Sequence, residues 1–367
     1  MEKKAQHPHR RWNPLRQSWV LVSPHRTQRP WQGEVSQKTA PAGVSYDPHC
    51  YLCPGNQRAG GAVNPAYESV FSFVNDYSAM LPDASTIAAP SDLAPTASPL
   101  LVAGPARGLC KVLCFHPDHS LTLARMKSAE IRRVVDAWTR EYEELSSLGW
   151  IEYVQIFENR GAIMGSSNPH PHGQIWATGF IPDEPAAESH AQSEYLARTG
   201  HCLLCDYVET ERAAGERVIF ENEHFTALVP WWAIWPFEVL LVSRRHLGAL
   251  PQLTANERDA LADLLKRLTT RFDNLFETSF PYTMGFHQSP AGVPGDRSIV
   301  AGVAADGAEH DEWHFHAHFY PPLLSSATVR KFMVGFEMLG MPQRDITAEE
   351  AAERLRACSE THFWPRD

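Results

Sequence analysis

From residue 166 to 177 the chain reads Ser166-Ser167-Asn168-Pro169-His170-Pro171-His172-Gly173-Gln174-Ile175-Trp176-Ala177, and no other stretch restricts its own backbone so tightly. Each proline disfavours the α region for the residue before it, which pushes Asn168 and His170 toward extended backbone. Neither proline can donate to a sheet ladder, so the segment lies at a sheet edge or leads into a strand. Residues two apart on extended backbone face the same way, which sends the His170 and His172 rings to one side. Gly173 lets a ligand approach the main chain closely. A polar turn with two solvated rings fits the same pattern. Partners elsewhere in the chain separate the two possibilities.

Such partners exist. Asp47-Pro48-His49-Cys50-Tyr51-Leu52-Cys53-Pro54-Gly55 is a Cys-x-x-Cys knuckle on a tight turn, half of what a tetrahedral zinc needs. His119, in Pro117-Asp118-His119-Ser120, is a candidate third ligand and His170 a fourth. A redox dithiol is the rival, but the βαβ context of that motif is missing. A second pair, Cys202 and Cys205, brings four of the seven cysteines into such motifs. No apolar run reaches the length of a membrane span, and Met1-Glu2-Lys3-Lys4 starts no hydrophobic signal core, so the expectation is a cytoplasmic protein with reduced thiols. A net charge of −10 without a basic tract argues against nucleic-acid binding. Arg26 and Arg29, three apart on a loop after the strand-like Trp19-Val20-Leu21-Val22, suit a phosphate or carboxylate, or are simply solvated.

The rest of the chain supplies a framework. A strand over 70–74 ends at Asn75-Asp76, and residues 81–108 form a long surface connection. Ser128 caps a helix with Ile131, Val134, Val135, Trp138, Tyr142 and Leu145 on its apolar face. A strand over 150–157 follows, then a glycine-punctuated loop, Glu158 to Gly165, whose N–H groups with Ser167 can cradle a phosphate. The order then repeats: the Cys202/Cys205 knuckle, a strand over 237–242, and a helix opened by the Thr254-x-x-Glu257 capping box. A Gly/Ala/Asp-rich surface loop to about His310 leads to Trp313-His314-Phe315-His316-Ala317-His318-Phe319, whose alternation puts three histidines on one strand face. Knuckle, helix and His-rich strand occurring twice imply an α+β chain of two similar halves, 1–195 and 196–367.

A neutral histidine beside a phosphate can attack phosphorus and form a covalent intermediate, provided its other ring nitrogen is held. Charge developing on the phosphoryl oxygens needs donors. His172 as nucleophile, His170 as metal ligand and Gln174 with Ser167 as donors meet those demands within a few residues.

The stretch from Phe157-Glu158-Asn159-Arg160-Gly161 through Trp176 resembles the galactose-1-phosphate uridylyltransferase family of the histidine-triad-like superfamily. So do Arg26 to Trp31, the Cys50/Cys53 knuckle, Pro117 to Ser120, His316 to Pro322, Ala327 to Leu339, and Gln343-Arg344-Asp345, so the likeness covers nearly the whole chain. It implies two histidine-triad-like halves, each a mostly antiparallel sheet with helices packed on it. It also implies galactose metabolism by ping-pong transfer of UMP from UDP-glucose to galactose 1-phosphate through a uridylyl-His172. Arg26, Arg29, Asn75, Asp76, Asn159, Gly165, Ser166, Ser167 and Gln174 would hold the UDP-sugar. Lys331, Phe332, Val334, Phe336, Glu337 and Gln343 would reach it from the other subunit of a homodimer. Zinc would sit at Cys50, Cys53, His119 and His170, and a second metal, iron or zinc, at Glu188, His287, His316 and His318. Ser166 stands where many members have cysteine, and the stretch between His287 and His316 is longer than the family pattern. An alternative second site joins Cys202 and Cys205 to His246 and His316, where soft thiolates favour zinc; the Glu188 set is the closer family match. A triad hydrolase would place a further histidine near Gln174, and a zinc-stabilised nucleotide-binding protein would show no turnover.

Overall fold

The computed structural model describes residues 7–25, 43–83, 100–101, 104, 106–291 and 312–364. Arg26 and Arg29 lie outside the described residues, as do most of the 81–108 connection and the Gly/Ala/Asp-rich stretch before His310. Strands β1 (His9–Asn13) and β2 (Ser18–Val22) form an antiparallel hairpin, and Gln343–Arg344 adds in parallel to β2, tying the two ends of the chain together.

The main sheet takes β3 (Phe71–Val74), β4 (Gly108–Cys114), β5 (Tyr153–Arg160) and β6 (His172–Thr178) from the first half. The second half gives β7 (Val218–Glu221), β8 (Phe225–Leu228), β9 (Val239–Ser243), β10 (Tyr282–His287) and β11 (His316–Tyr320). Their order is β3-β4-β6-β5-β10-β11-β9-β8-β7, with antiparallel pairing throughout. The order β3-β4-β6-β5 recurs as β8-β9-β11-β10, and the repeats join where β5 pairs with β10. The duplication expected from the two knuckles is therefore a duplication of topology within one continuous sheet.

Two long helices, α1 (Ser128–Ser146) and α4 (Ala255–Phe276), cover one face. The expected apolar positions of α1 and Leu261, Leu264, Leu265, Leu268 and Phe272 of α4 share a core with Ile175, Ala177, Phe315, Ala317 and Phe319 of the sheet. Strand alternation then turns His172, Gln174, His316 and His318 to the opposite face. That face is covered in the second half by α3 (Leu203–Ala214) and the N-terminal hairpin, through Leu15, Val20, Leu203, Leu240 and Val242. In the first half the Cys50/Cys53 knuckle takes that place, against Val112 and Cys114. Between the halves runs α2 (Asp183–Thr199).

Local readings differ at two points. Lys127, not Ser128, is the N-cap of α1, and the Glu130 carboxylate accepts the Lys127 N–H at 2.7 Å. The strand expected over 150–157 is β5, and Glu158-Asn159-Arg160 belong to it rather than to the loop. Pairing of Met284, Thr283 and Tyr282 with Glu158, Asn159 and Arg160 holds these polar residues extended until Gly161 turns at φ +87. The Thr254/Glu257 capping box is present, with Oγ1 accepting from Glu257 N at 3.3 Å and the carboxylate from Thr254 N at 2.8 Å.

Glu349, in the first turn of α5 (Ala348–Ala357), anchors the chain's C-terminal region. Arg11 of β1 pairs with it through two hydrogen bonds of 3.1 and 3.0 Å, and Arg217 donates at 2.7 Å. Burial opposes ionisation of Glu349, but the two guanidinium groups outweigh it and hold the carboxyl at about 2, below the ordinary 4.5. A depressed folded pKa contributes stability above the unfolded pKa, which is lost as pH falls toward the folded one. Glu349→Gln should therefore cost about 2 kcal/mol at pH 7 in denaturant unfolding. Its deficit from the parent should shrink as pH falls from 4.5 to about 2; a deficit independent of pH would exclude this role.

Candidate metal centres and active site

Cys50, Cys53, His119 and His170 converge on the opposite face of the first half, all buried. His119 Nδ1 and His170 Nδ1 each lie 3.6 Å from Cys53 Sγ. Zinc bonds of about 2.3 Å to sulfur and 2.0–2.1 Å to nitrogen at tetrahedral angles give S···N edges of about 3.6 Å, so the donors fit the ion. The Tyr67 hydroxyl donates to Leu52 O at 2.6 Å and therefore accepts from His170 Nε2 at 2.9 Å. That leaves the His170 Nδ1 lone pair for the metal side. Burial and the neighbouring His119 and His172 rings push the His170 pKa down to about 3, so the ring stays neutral. Asn168 completes the frame: its Oδ1 accepts His170 N at 2.9 Å and its Nδ2 donates to Cys50 Sγ at 3.3 Å.

Two residues on, His172 opens β6. Its Nδ1 lies 2.7 Å from the His170 carbonyl, which can only accept, so Nδ1 carries the proton and Nε2 the lone pair. Burial lowers the pKa of His172 and keeps the ring neutral. His172 lines a cavity of about 370 Å³ together with Asn159, Gly161, Ser166, Ser167 and Arg160. Ser167 Oγ is 3.2 Å from the Tyr51 hydroxyl, and Ser166 Oγ donates to Asn168 O at 3.0 Å. Asn159 Oδ1 accepts from Thr283 Oγ1 at 2.8 Å, and Gly165 turns the loop with φ +81.

Not every expected residue meets there. Gln174 is not among the residues lining this cavity; its Oε1 accepts the Trp176 indole N–H at 2.9 Å. Asn75 Oδ1 caps Tyr77 N at 2.9 Å, and Asp76 accepts from Gly60 N at 3.1 Å beside Arg58. Lys331, Phe332, Val334, Glu337 and Gln343 line a separate cavity of about 420 Å³. Its rim carries the exposed side chains of Phe332 and Val334, with exposed Phe336 on the adjoining helical turn. The Lys331 ammonium bonds the Glu337 carboxylate and the Gln343 carbonyl.

The second half holds two further clusters. Glu188 of α2 meets His287, His316 and His318. His287 Nδ1 is 2.8 Å and His316 Nε2 3.2 Å from Glu188 Oε2, and His318 Nε2 is 3.3 Å from Oε1. His316 Nδ1 lies 2.6 Å from the His314 carbonyl, so its Nε2 lone pair faces the carboxylate, an arrangement that calls for a cation between them. Beyond that 3.3 Å approach to Glu188, neither nitrogen of buried His318 has a hydrogen-bond partner among the described residues. Burial opposes ionisation of Glu188, yet its neighbours, His287 foremost, hold it well below the carboxylate range. This oxygen and nitrogen set fits a borderline cation such as iron or zinc. The thiolate set weighed against it also forms, but with His314 in place of His316: Cys202, Cys205, His246 and His314 converge. The two sets are therefore not alternatives. His314 precedes β11, so its ring leaves the row that His316 and His318 share with Glu188.

Tyr67, Asn168, Arg160 and His314 were missed as site residues. Arg160, read as loop, donates through Nη2 to Asp273 at 2.9 Å, while its Nε and Nη1 are buried without a partner among the described residues. Only His314 carried a signal, sitting two residues before His316 as His170 sits before His172.

Family models described as galactose-1-phosphate uridyl transferase, N-terminal and C-terminal domains, match residues 1–182 and 188–367. A galactose-1-phosphate uridylyltransferase of Haemophilus influenzae is 52% identical over 99% of this chain and 97% of its own. That of Rattus norvegicus is 50% identical over 98% and 90%. A solved uridylyltransferase structure superposes with TM-score 0.71 at 26% identity, covering 96% of this chain and 98% of the other. An ADP-glucose phosphorylase from Arabidopsis thaliana shares the fold, with TM-score 0.72 at 22% identity over 96% of this chain and 100% of the other.

Tyr67→Phe removes the acceptor that orients His170. Chelator competition should show zinc bound to the Cys50/Cys53 set about 10–100-fold more weakly, with the fold intact by circular dichroism. Unchanged affinity would show that packing alone sets the ring.

Proposed function

From the premise that the chain belongs to the galactose-1-phosphate uridylyltransferase family, a family of transferases, we propose that it moves UMP from UDP-glucose to galactose 1-phosphate by a ping-pong reaction through His172. The observation that carries this is the His172 ring: neutral, half-buried, its Nδ1 proton held by the His170 carbonyl, on the wall of the cavity at Ser167. Nε2 attacks the α-phosphorus of UDP-glucose; an N–P bond forms, the bond to the glucose 1-phosphate oxygen breaks, and its electron pair leaves with that oxygen. Galactose 1-phosphate then attacks the same phosphorus, the N–P bond breaks, and UDP-galactose and a neutral His172 result. Ser167 and the loop N–H groups face the charge that develops, and Gln174, oriented by Trp176, supplies an amide donor.

Cys50, Cys53, His119 and His170 would hold zinc, which would supply rigidity to the His170 backbone whose carbonyl fixes the nucleophile. Glu188, His287, His316 and His318 would hold iron or zinc. The exposed Phe332, Val334 and Phe336 beside the cavity at Lys331 support a homodimer in which Lys331, Phe332, Val334, Phe336, Glu337 and Gln343 complete the partner's UDP-sugar site. Arg26, Arg29, Asn75 and Asp76 are assigned to the UDP-sugar with them. We divide the chain into halves 1–195 and 196–367. All seven cysteines are unbonded, which supports a reducing, cytoplasmic setting within galactose metabolism.

Labelled UDP-glucose given alone should yield an acid-labile uridylyl-protein and one equivalent of glucose 1-phosphate. Free UMP would point to a hydrolase, and no product to a binding protein. Absence of exchange between UDP-glucose and glucose 1-phosphate would overturn the proposal. His172→Gly should lower transfer by about 10⁴-fold or more while UDP-glucose still binds.

A further inference from the structure

The Cys202/Cys205 cluster plays no part in the reaction above, yet it reproduces the first zinc set feature by feature. Each knuckle lies upstream of its repeat of the sheet. His246 follows β9 as His119 follows β4, and His314 stands two residues before β11's first histidine as His170 stands before His172. Cys202 Sγ lies 3.5 Å and Cys205 Sγ 3.4 Å from His314 Nδ1, with His246 Nδ1 3.6 Å from Cys205 Sγ. Those separations lie at or just below the edge of about 3.6 Å that a tetrahedral zinc imposes. His314 Nε2 is 2.6 Å from the Ser243 carbonyl, an acceptor, so Nδ1 offers its lone pair to the sulfurs, as in His170. The His246 and His314 rings lie 5.2 Å apart at 76°, and those of His119 and His170 5.5 Å at 67°.

The downstream contact also recurs. The His314 carbonyl accepts from His316 Nδ1 at 2.6 Å, where the His170 carbonyl accepts from His172 Nδ1 at 2.7 Å. In the first half this bond aims a ring at the cavity; in the second it aims His316 Nε2 at Glu188.

We propose that Cys202, Cys205, His246 and His314 bind a zinc ion, a metal centre separate from the Glu188 set, and that this ion fixes the backbone which presents His316 to Glu188. The chain then carries three metal positions, two thiolate-bearing and one not. Because His246 is exposed where the first set is wholly buried, chelators strip this zinc before that of Cys50/Cys53. The proposal does not depend on uridylyl transfer.

Zinc-loaded full-length protein should lose one equivalent of zinc, by native mass spectrometry, in the Cys202→Ser/Cys205→Ser double variant and keep the ion at Cys50/Cys53. Its Glu188 centre should bind metal about tenfold more weakly. His246→Ala, an exposed change that spares the core, should weaken the same single equivalent. The unaltered protein gives an independent reading by alkylation and peptide mapping. Cys202 and Cys205 should resist the reagent when zinc-loaded and react after brief chelation, ahead of Cys50 and Cys53. An unchanged zinc count in both variants, or immediate alkylation of both thiols in zinc-loaded protein, would overturn the proposal.

Discussion

The hydrogen bond from His172 Nδ1 to the His170 carbonyl organises the first half of the molecule. A backbone carbonyl has no proton to give, so the contact selects one tautomer and leaves Nε2 with the lone pair. It is only as rigid as the peptide it comes from. That peptide is held by the His170 side chain between Cys53 and Tyr67, by Asn168 from Cys50, and by Pro169 and Pro171, which restrict the backbone on both sides. The knuckle, the Pro/His stretch and the edge of β6 therefore serve one end: placing a neutral ring at a fixed angle on a cavity wall.

Burial makes that ring useful as well as fixed. A charged imidazolium has no lone pair with which to attack, and desolvation of His172 favours the neutral form. The same low-polarity setting would be costly for an anionic phosphate without donors around it. Ser167, Gly161 and Arg160 line the same cavity and are the groups that can supply them. Arg160 reaches that position because β5 runs to residue 160, three residues beyond where the hydrophobic alternation fades.

That extension shows why some of the molecule was legible and some was not. The α1 and α4 faces and the Thr254/Glu257 box follow from local periodicity and capping chemistry, and they stand as read. The convergence of Cys50, Cys53, His119 and His170 was legible because thiolate spacing and proline-restricted histidines have few other uses. Glu158-Asn159-Arg160 looked like loop because three polar residues in a row carry no strand signal; pairing with β10, more than a hundred residues away, decides them. His314 could not be assigned because a period of two puts it on the same face as His316 and His318. Only the end of β11 at His316, and Ser243 holding the ring's other nitrogen, separate it from them. Lys127 took the cap from Ser128 because the Glu130 side chain reaches back to the Lys127 N–H.

The two halves start from one device and end differently because of what stands two residues further on. After His172 comes Gln174, whose Oε1 accepts from the Trp176 indole and whose side chain carries no charge to draw a cation. After His316 comes His318, and across from both stand Glu188 and His287. A carboxylate facing an imidazole lone pair at 3.2 Å is repulsive unless a cation lies between them. The same backbone carbonyl, the same tautomer and the same strand order thus present a base in each half. In the first that base lines a cavity; in the second the added ring and carboxylate complete a donor set that could hold a metal ion. A duplicated fold can in this way give the same strand position two different surroundings with a few side-chain changes, leaving the sheet that joins them intact.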